Sequence, residues 1–187
     1  MGKIILVTGG ARSGKSRFAE DYVAEHGKCI GYIATAQILD EEMRFRVKLH
    51  RERRPANWVT YEAPFDAHLA LKEAGKSCDV VLFDCLTMFL SNILCSLESI
   101  DDSGKNYVAV MEKLDLLIEQ AKNNHGTTVF VTNEVGSGIV PDNQISREYR
   151  DISGLVNQAV AKVADEVYLV VCGIPVDVKK LAVKLAD

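Results

Sequence analysis

Eight consecutive residues near the amino terminus, Gly9-Gly10-Ala11-Arg12-Ser13-Gly14-Lys15-Ser16, fit the pattern G-x-x-x-x-G-K-[ST] with no departure. Each position has a chemical reason. Glycines let the backbone curl until successive N–H groups point at phosphate oxygens. A helix starting at Lys15 directs the positive end of its dipole at the same phosphates. Lys15 is then placed to reach the β- and γ-phosphates of a nucleoside triphosphate, and the Ser16 hydroxyl to ligate Mg²⁺. The partner ligand should be an acid at the end of a neighbouring apolar strand, and Val80-Val81-Leu82-Phe83-Asp84 supplies one. An aspartate there can also be a plain helix N-cap. Glu134, beyond Thr132-Asn133, takes the equivalent place on another strand. It can orient a substrate hydroxyl or a water, or be an ordinary polar loop residue.

A second constellation lies between Arg44 and Arg54. Six basic residues, Arg44, Arg46, Lys48, Arg51, Arg53 and Arg54, surround His50. The plain reading is a solvated helix face with one incidental histidine. A nucleic-acid patch is weaker, because the segment carries one aromatic, Phe45. The sharper reading is phosphate chemistry. A histidine ringed by guanidinium groups can attack an α-phosphate while the cations neutralise charge developing on the phosphoryl oxygens. The same cations disfavour the imidazolium and keep the ring nucleophilic. His26, at the end of the first helix, can meet the C-terminal carbonyls. His68 sits at a helix start and His125 in a polar turn.

These residues need elements to hold them. Ile4–Val7, Cys29–Ile33, Val80–Phe83, Thr127–Val131 and Val167–Val171 are short apolar runs without polar alternation. Between them lie helical patterns at Lys15–Glu25, Asp40–Glu52, Tyr107–Ala121 and Ile145–Val163. Buried strands separated by helices predict an α/β fold, a mostly parallel sheet covered on both faces. In such sheets ligands bind beyond the carboxyl ends of the strands. Ser99–Asn106 reads as a surface loop, and Gly173–Pro175 breaks the chain before a short tail. No N-K-x-D base-reading motif follows, so a small kinase or nucleotidyltransferase is the economical reading.

Composition bounds the rest. The chain has 187 residues, with 22 Lys or Arg against 26 Asp or Glu, a net charge of −4. That balance argues against a dedicated nucleic-acid binder. The 48% hydrophobic content excludes a disordered chain. One nucleotide-binding domain over residues 1–187 is expected. The longest apolar runs fall far short of a membrane span, and no signal peptide is apparent. Five cysteines, Cys29, Cys78, Cys85, Cys95 and Cys172, form no CxxC pair. Buried free thiols and a cytoplasmic location are the expectation.

The motifs together resemble the bifunctional adenosylcobinamide kinase/adenosylcobinamide-phosphate guanylyltransferase family of cobalamin biosynthesis. The resemblance runs through Ile5–Ser16, Tyr32-Ile33-Ala34-Thr35-Ala36-Gln37, Asp40-Glu41-Glu42-Met43, His50-Arg51 and Arg53-Arg54-Pro55-Ala56-Asn57-Trp58. It continues through Thr132–Pro141, Arg150-Asp151-Ile152-Ser153-Gly154 and Asn157-Gln158. It implies a three-layer, RecA-like P-loop fold, a homotrimer, and two reactions. A nucleoside triphosphate, ATP or GTP, phosphorylates the aminopropanol hydroxyl of adenosylcobinamide. GTP then gives GMP to a histidine, with release of pyrophosphate, and the cobinamide phosphate takes the GMP to form adenosyl-GDP-cobinamide. His50 matches the guanylylated histidine. The nucleotide contacts implied are Gly9, Gly10, Ala11, Arg12, Ser13, Gly14, Lys15 and Ser16, then Thr35, Ala36 and Gln37, then Arg51, Glu52, Arg53 and Arg54, with Glu62 and Asp84. Ser16 and Asp84 are the implied Mg²⁺ ligands, and Lys15 and His50 the catalytic pair. Because His50 must meet an α-phosphate while Lys15 holds the β and γ, the Asp40–Glu52 helix is expected to swing toward the loop when GTP binds. Two alternatives stay open: a kinase acting on another small hydroxyl substrate, and a GTP-switched binding protein using the basic helix to hold an acidic partner.

Overall fold

The computed structural model describes residues 1–38, 40–97 and 103–183, and the side chains of Glu42, Arg46, His50, Arg53 and Ser103 also fall outside the described set. In chain order the elements are β1 (Lys3–Thr8), α1 (Lys15–His26), β2 (Ile30–Ala34), α2 (Glu41–Arg53), β3 (Val59–Glu62), α3 (Ala67–Ala74) and β4 (Val80–Asp84). They continue with α4 (Leu86–Ser96), α5 (Ser103–Asn123), β5 (Thr127–Val131), α6 (Gln144–Val163), β6 (Glu166–Val171) and β7 (Ile174–Asp177). The seven strands form one sheet in the order β3-β2-β4-β5-β1-β6-β7. All neighbours are parallel except β6 and β7. This is the expected α/β architecture, and the apolar runs are its central strands.

The two faces of the sheet are loaded unequally. Along β1, Ile4 and Leu6 enter one core while Ile5 and Val7 enter the other. The period-two alternation of a strand forces that division. The first face is covered by α3, α4, α5 and α6, which bury Leu71, Phe89, Leu114 and Val156 against Phe83 and Phe130. Phe83 lies 5.3 Å from Phe130 and 5.8 Å from Phe89 between ring centroids. Burying an aromatic of this kind stabilises the fold by about 2–3 kcal/mol. The second face receives Ala19 and Val23 of α1, with Tyr32 and Trp58, and none of the described side chains of α2 is buried. The carboxyl edge of this second face is therefore only partly roofed by helix.

Several expectations need correction. Ser99–Asn106 is not all loop: Ser103–Asn106 opens α5, and buried Asn106 donates to Glu148 Oε1 at 2.9 Å; residues 98–102 lie outside the described set. The stretch after Gly173 is not a tail but strand β7, antiparallel to β6. Its Pro175 is tolerated because β7 is an edge strand. Among the cysteines only Cys78 is buried; Cys29 and Cys85 are half-buried, and Cys95 and Cys172 exposed. Cys95 has apolar sequence neighbours, but the turn of α4 buries Leu90 and Ile93 and carries Cys95 to the outward side. His26 does meet a carbonyl, its Nδ1 lying 2.8 Å from Tyr22 O.

Candidate active site

The loop Gly9–Ser16 leaves β1 at the carboxyl edge of the sheet and enters α1 at Lys15. Gly14 is the helix N-cap, with φ 96°. That left-handed conformation, with Gly173 Cα only 3.0 Å from where a Cβ would stand, requires glycine. A Cβ on Gly9 would sit 2.5 Å from Val170 O, so the loop packs backbone to backbone against β6. Four further hydrogen bonds clamp it: Ser13 N to Gly10 O at 3.2 Å, Phe18 N to Gly14 O at 3.0 Å, Glu134 N to Gly9 O at 3.0 Å and Gly173 N to Ser13 O at 2.8 Å. No side chain caps α1. The first-turn N–H groups are thus left for an incoming anion.

Lys15 is buried, and its ammonium donates to Gly10 O at 3.1 Å across the loop. Burial pushes its pKa down, and the nearby Cys85 and Asp84 act against that. The side-chain oxygens of Thr8 and Ser13 are buried without a partner among the described residues. Orphaned hydroxyls beside a buried ammonium are costly in an empty pocket and natural in one that receives phosphate. Ser16 is half-buried at the head of α1.

Asp84 ends β4, beside β5 and β2, while Cys85 is the residue that caps α4. The plain N-cap role therefore belongs to Cys85, and Asp84 is left pointing at the loop's side of the sheet. The Cys85 thiol accompanies Asp84; burial raises its pKa to about 11, so it stays protonated near neutrality. Thr35 is buried and fastens β2 to β4: its Oγ1 donates to Cys85 O at 2.9 Å and accepts from Cys85 N at 2.8 Å. Ala36 and Gln37 follow it, half-buried, at the same edge. Asp84 with Ser16 is a hard, all-oxygen donor set of one carboxylate and one hydroxyl. It suits Mg²⁺, which completes its shell with phosphate oxygens and water. Among the described residues no cluster of three His, Cys, Asp or Glu exists to serve a different metal.

The basic constellation sits at the other end of this edge. His50 lies on the last turns of α2, and its side chain, like that of Arg53, falls outside the described set. Arg51 is ion-paired with Glu62 at the end of β3. Arg54 is the C-cap of α2; its Nη1 donates to Thr60 Oγ1 at 3.4 Å, and its guanidinium lies 3.7 Å above the centre of the Tyr32 ring. Arg51, Arg54, Pro55, Ala56, Trp58, Thr60 and Glu62 line a cavity of about 400 Å³. Glu52 instead pairs with Lys48 along the helix, 3.7 Å away. The structure thus brings Arg51, Arg54 and Glu62 together around one cavity, whose described lining does not include Glu52.

Sequence reasoning missed three parts of the site. Tyr32 is buried and donates to Asp84 Oδ2 at 2.7 Å. In the sequence it is one more apolar residue of a strand. The Cys172-Gly173 turn, which seats the loop through Ser13, is visible only once β7 is known. The third is a polar lattice behind the loop. Thr132 Oγ1 donates to Asn157 Oδ1 at 2.7 Å, Asn157 Nδ2 donates to Asn133 O at 3.1 Å, and Asn133 Nδ2 to Thr87 Oγ1 at 3.4 Å. Glu134 follows it, its Oε1 accepting from Gly136 N at 2.7 Å.

Residues 5–178 match the family model described as cobinamide kinase / cobinamide phosphate guanyltransferase. Similar proteins include the bifunctional adenosylcobalamin biosynthesis protein CobU of Salmonella typhimurium, 43% identical over 181 residues, covering 94% of this chain and 99% of that one. CobU of Escherichia coli is 41% identical with the same coverage. The bifunctional protein CobP of Pseudomonas aeruginosa is 40% identical over 174 residues, covering 93% of this chain and 96% of that one. Among solved structures, an ATPase of a bacterial type III secretion system superposes with a TM-score of 0.58 at 13% identity. The match covers 97% of this chain and 59% of the ATPase chain, and it supports the P-loop NTPase fold alone.

Proposed function

Because the chain belongs to the cobinamide kinase / cobinamide phosphate guanyltransferase family, we propose that its two reactions divide between the two halves of this carboxyl edge. The observation that carries the reading is the placement of a clamped phosphate loop and a basic cavity on one face of one sheet, joined through Arg54, Tyr32 and Asp84.

In the kinase step the loop N–H groups hold the triphosphate and Lys15 neutralises charge on its outer phosphates. Ser16 and Asp84 would hold Mg²⁺, which supplies charge neutralisation across the phosphates. The aminopropanol hydroxyl of adenosylcobinamide attacks the γ-phosphorus, its proton passes to Glu134 or to a water that Glu134 orients, and nucleoside diphosphate leaves. In the guanylyl step a ring nitrogen of His50 attacks the α-phosphorus of GTP. A P–N bond forms, the α–β bridging bond breaks and pyrophosphate departs. A phosphate oxygen of the cobinamide phosphate then attacks the same phosphorus, the P–N bond breaks and His50 is regenerated. Splitting the transfer lets each half proceed over a lower barrier.

The cavity at the end of α2 is suited to guanine. The Glu62 carboxylate can accept from the N1–H and exocyclic amine of that base, donors that adenine does not present together. Arg51, Arg53 and Arg54 bring cations to the phosphates, and Thr35, Ala36 and Gln37 border the same edge. We place α2 in motion between the steps: it swings toward the loop when GTP binds, and identical His50 placement with and without GTP would contradict this. Action as a homotrimer in the cytoplasm completes the proposal; none of the described helices is long and apolar enough to cross a membrane.

The test is incubation with α-³²P-GTP and Mg²⁺ followed by denaturing electrophoresis. Wild type should carry an acid-labile, alkali-stable label, and His50→Ala none. Label on both would assign the nucleophile to another residue. Label on neither would favour a kinase confined to the first step.

A further inference from the structure

Tyr32 occupies a position that neither reaction has yet used. It lies on β2 in register with Leu82, and Ala34 with Asp84, so Tyr32 stands one pair behind Asp84 on the same face of the sheet. Its ring is buried among the apolar residues of that face, tilted against Trp58 at 6.5 Å. One face of the ring carries the Arg54 guanidinium at 3.7 Å. The hydroxyl donates to Asp84 Oδ2 at 2.7 Å, the length of a charge-assisted bond.

We propose that Tyr32 is a positioning residue for the metal-binding carboxylate: its buried hydroxyl fixes Asp84 for the cation shared with Ser16, and its ring seats Arg54 at the end of α2. The inference rests on the nucleotide and metal reading above. A carboxylate with one oxygen held cannot rotate freely about its last bond, so it meets an incoming cation without an ordering cost. The cation over the ring polarises the O–H outward, which strengthens the bond to Asp84. The chain of contacts Arg54–Tyr32–Asp84 therefore ties the end of α2 to the metal side of the phosphate loop.

The test uses the full-length protein and Tyr32→Phe, which keeps the ring, its stacking and the seat for Arg54 and removes one oxygen. Mn²⁺ replaces Mg²⁺ as an electron-spin-resonance probe, with GDP as the nucleotide. Mn²⁺ should bind the GDP complex of Tyr32→Phe about tenfold more weakly than that of wild type, as expected for loss of a hydrogen bond to a charged group. GDP affinity measured in a chelator, without metal, should stay within twofold. A merely structural hydroxyl would lower the melting temperature and leave Mn²⁺ affinity unchanged; that result overturns the proposal. Equal losses of Mn²⁺ and metal-free GDP binding would mean a collapsed site and would overturn it too. A wild type that binds GDP but no Mn²⁺ would sink the metal reading beneath it, a result distinct from equal affinities in the two proteins.

Discussion

In the proposed reading the phosphate loop and α2 both present cations to phosphate, and they are built in opposite ways. The loop is held at one end by the central strand β1, at the other by α1, whose Ala19 and Val23 are fully buried, and between them by backbone bonds to Gly9 from Glu134 and to Ser13 from Gly173. Helix α2 buries none of its described side chains, and leaves Phe45 and Leu49 exposed. Its N-terminus is capped by Asp40, which accepts from Met43 N at 2.7 Å. Its described ties to the sheet gather at the other end, through Arg51 to Glu62 and Arg54 to Thr60 and Tyr32. A helix with no described side chain buried gains little from packing. Elements with few buried contacts lie at the low end of local stability. The difference fits the chemistry: phosphates need a rigid cradle, whereas a nucleophile that must reach a second phosphorus needs an element that can be repositioned at small cost.

The largest effects should separate the two regions by reaction. Lys15→Ala removes a buried cation used in both steps, and each should slow by about 10²–10³-fold. His50→Ala removes the covalent route alone: guanylyl labelling should vanish, while phosphorylation of adenosylcobinamide stays within about threefold of wild type. Assaying both activities on both variants checks this. A kinase lost with His50, or a guanylylation spared by Lys15→Ala, would break the division.

Stability should separate the regions in the same order. Gly14→Ala forces a side chain into φ 96° and against Gly173, and should cost about 1–3 kcal/mol. That is a fall in melting temperature of roughly 2–12 °C for a chain of this length. Leu49→Ala on α2, whose residue is 43% exposed, should move it by about 0.5 kcal/mol or less. Thermal melts of the two variants settle the contrast. A large loss from Leu49→Ala would show that α2 is packed against something, a neighbouring copy above all.

How far this contrast was legible beforehand follows from the same physics. The rigid half speaks in sequence because its constraints are local: Gly9, Gly14 and Lys15 are demanded by backbone geometry and one anion. The strands β1, β4 and β5 are legible because burial on both faces leaves their middles almost wholly apolar, with polar residues confined to their ends. Strand β3 was missed because Val59, Thr60 and Glu62 are exposed at the sheet edge, where no apolar pattern is required. Helix α4 hid because Leu86–Ser96 is an apolar run too uniform to show a period. Strand β7 hid behind Pro175. Tyr32 joined the site through a hydroxyl whose partner is on another strand, a relation that exists only after β2 and β4 pair. The residues of α2 left the phosphate reading of His50 beside that of a plain solvated face, and the resemblance alone chose between them, since a basic, unpatterned helix has the composition of any solvated surface.

The smallest effect sharpens the comparison from the rigid side. Burial lowers the pKa of Lys15 below the usual lysine value of 10.5 in the folded protein. The sign follows: below the lowered pKa, Lys15 is protonated in both folded and unfolded chains, and the folded state bears the full cost of the buried charge. As pH rises from the lowered pKa toward 10.5, the folded chain releases its proton first, so this group's penalty shrinks and disappears above 10.5. Lys15→Met keeps the stem and removes the charge. Without nucleotide it should therefore melt a few degrees above wild type at pH 7, with the gap closing as pH approaches 10.5. A gap that stays constant from pH 7 to 10 would mean that the bond from Lys15 Nζ to Gly10 O and the Asp84 carboxylate already offset the burial. The described cations of α2 outside the cavity, Arg44 and Lys48, are exposed instead, where charge contributes little to stability. In the proposed reading the loop keeps a destabilising charge because phosphate needs it there, and its rigid surroundings are what allow the charge to remain.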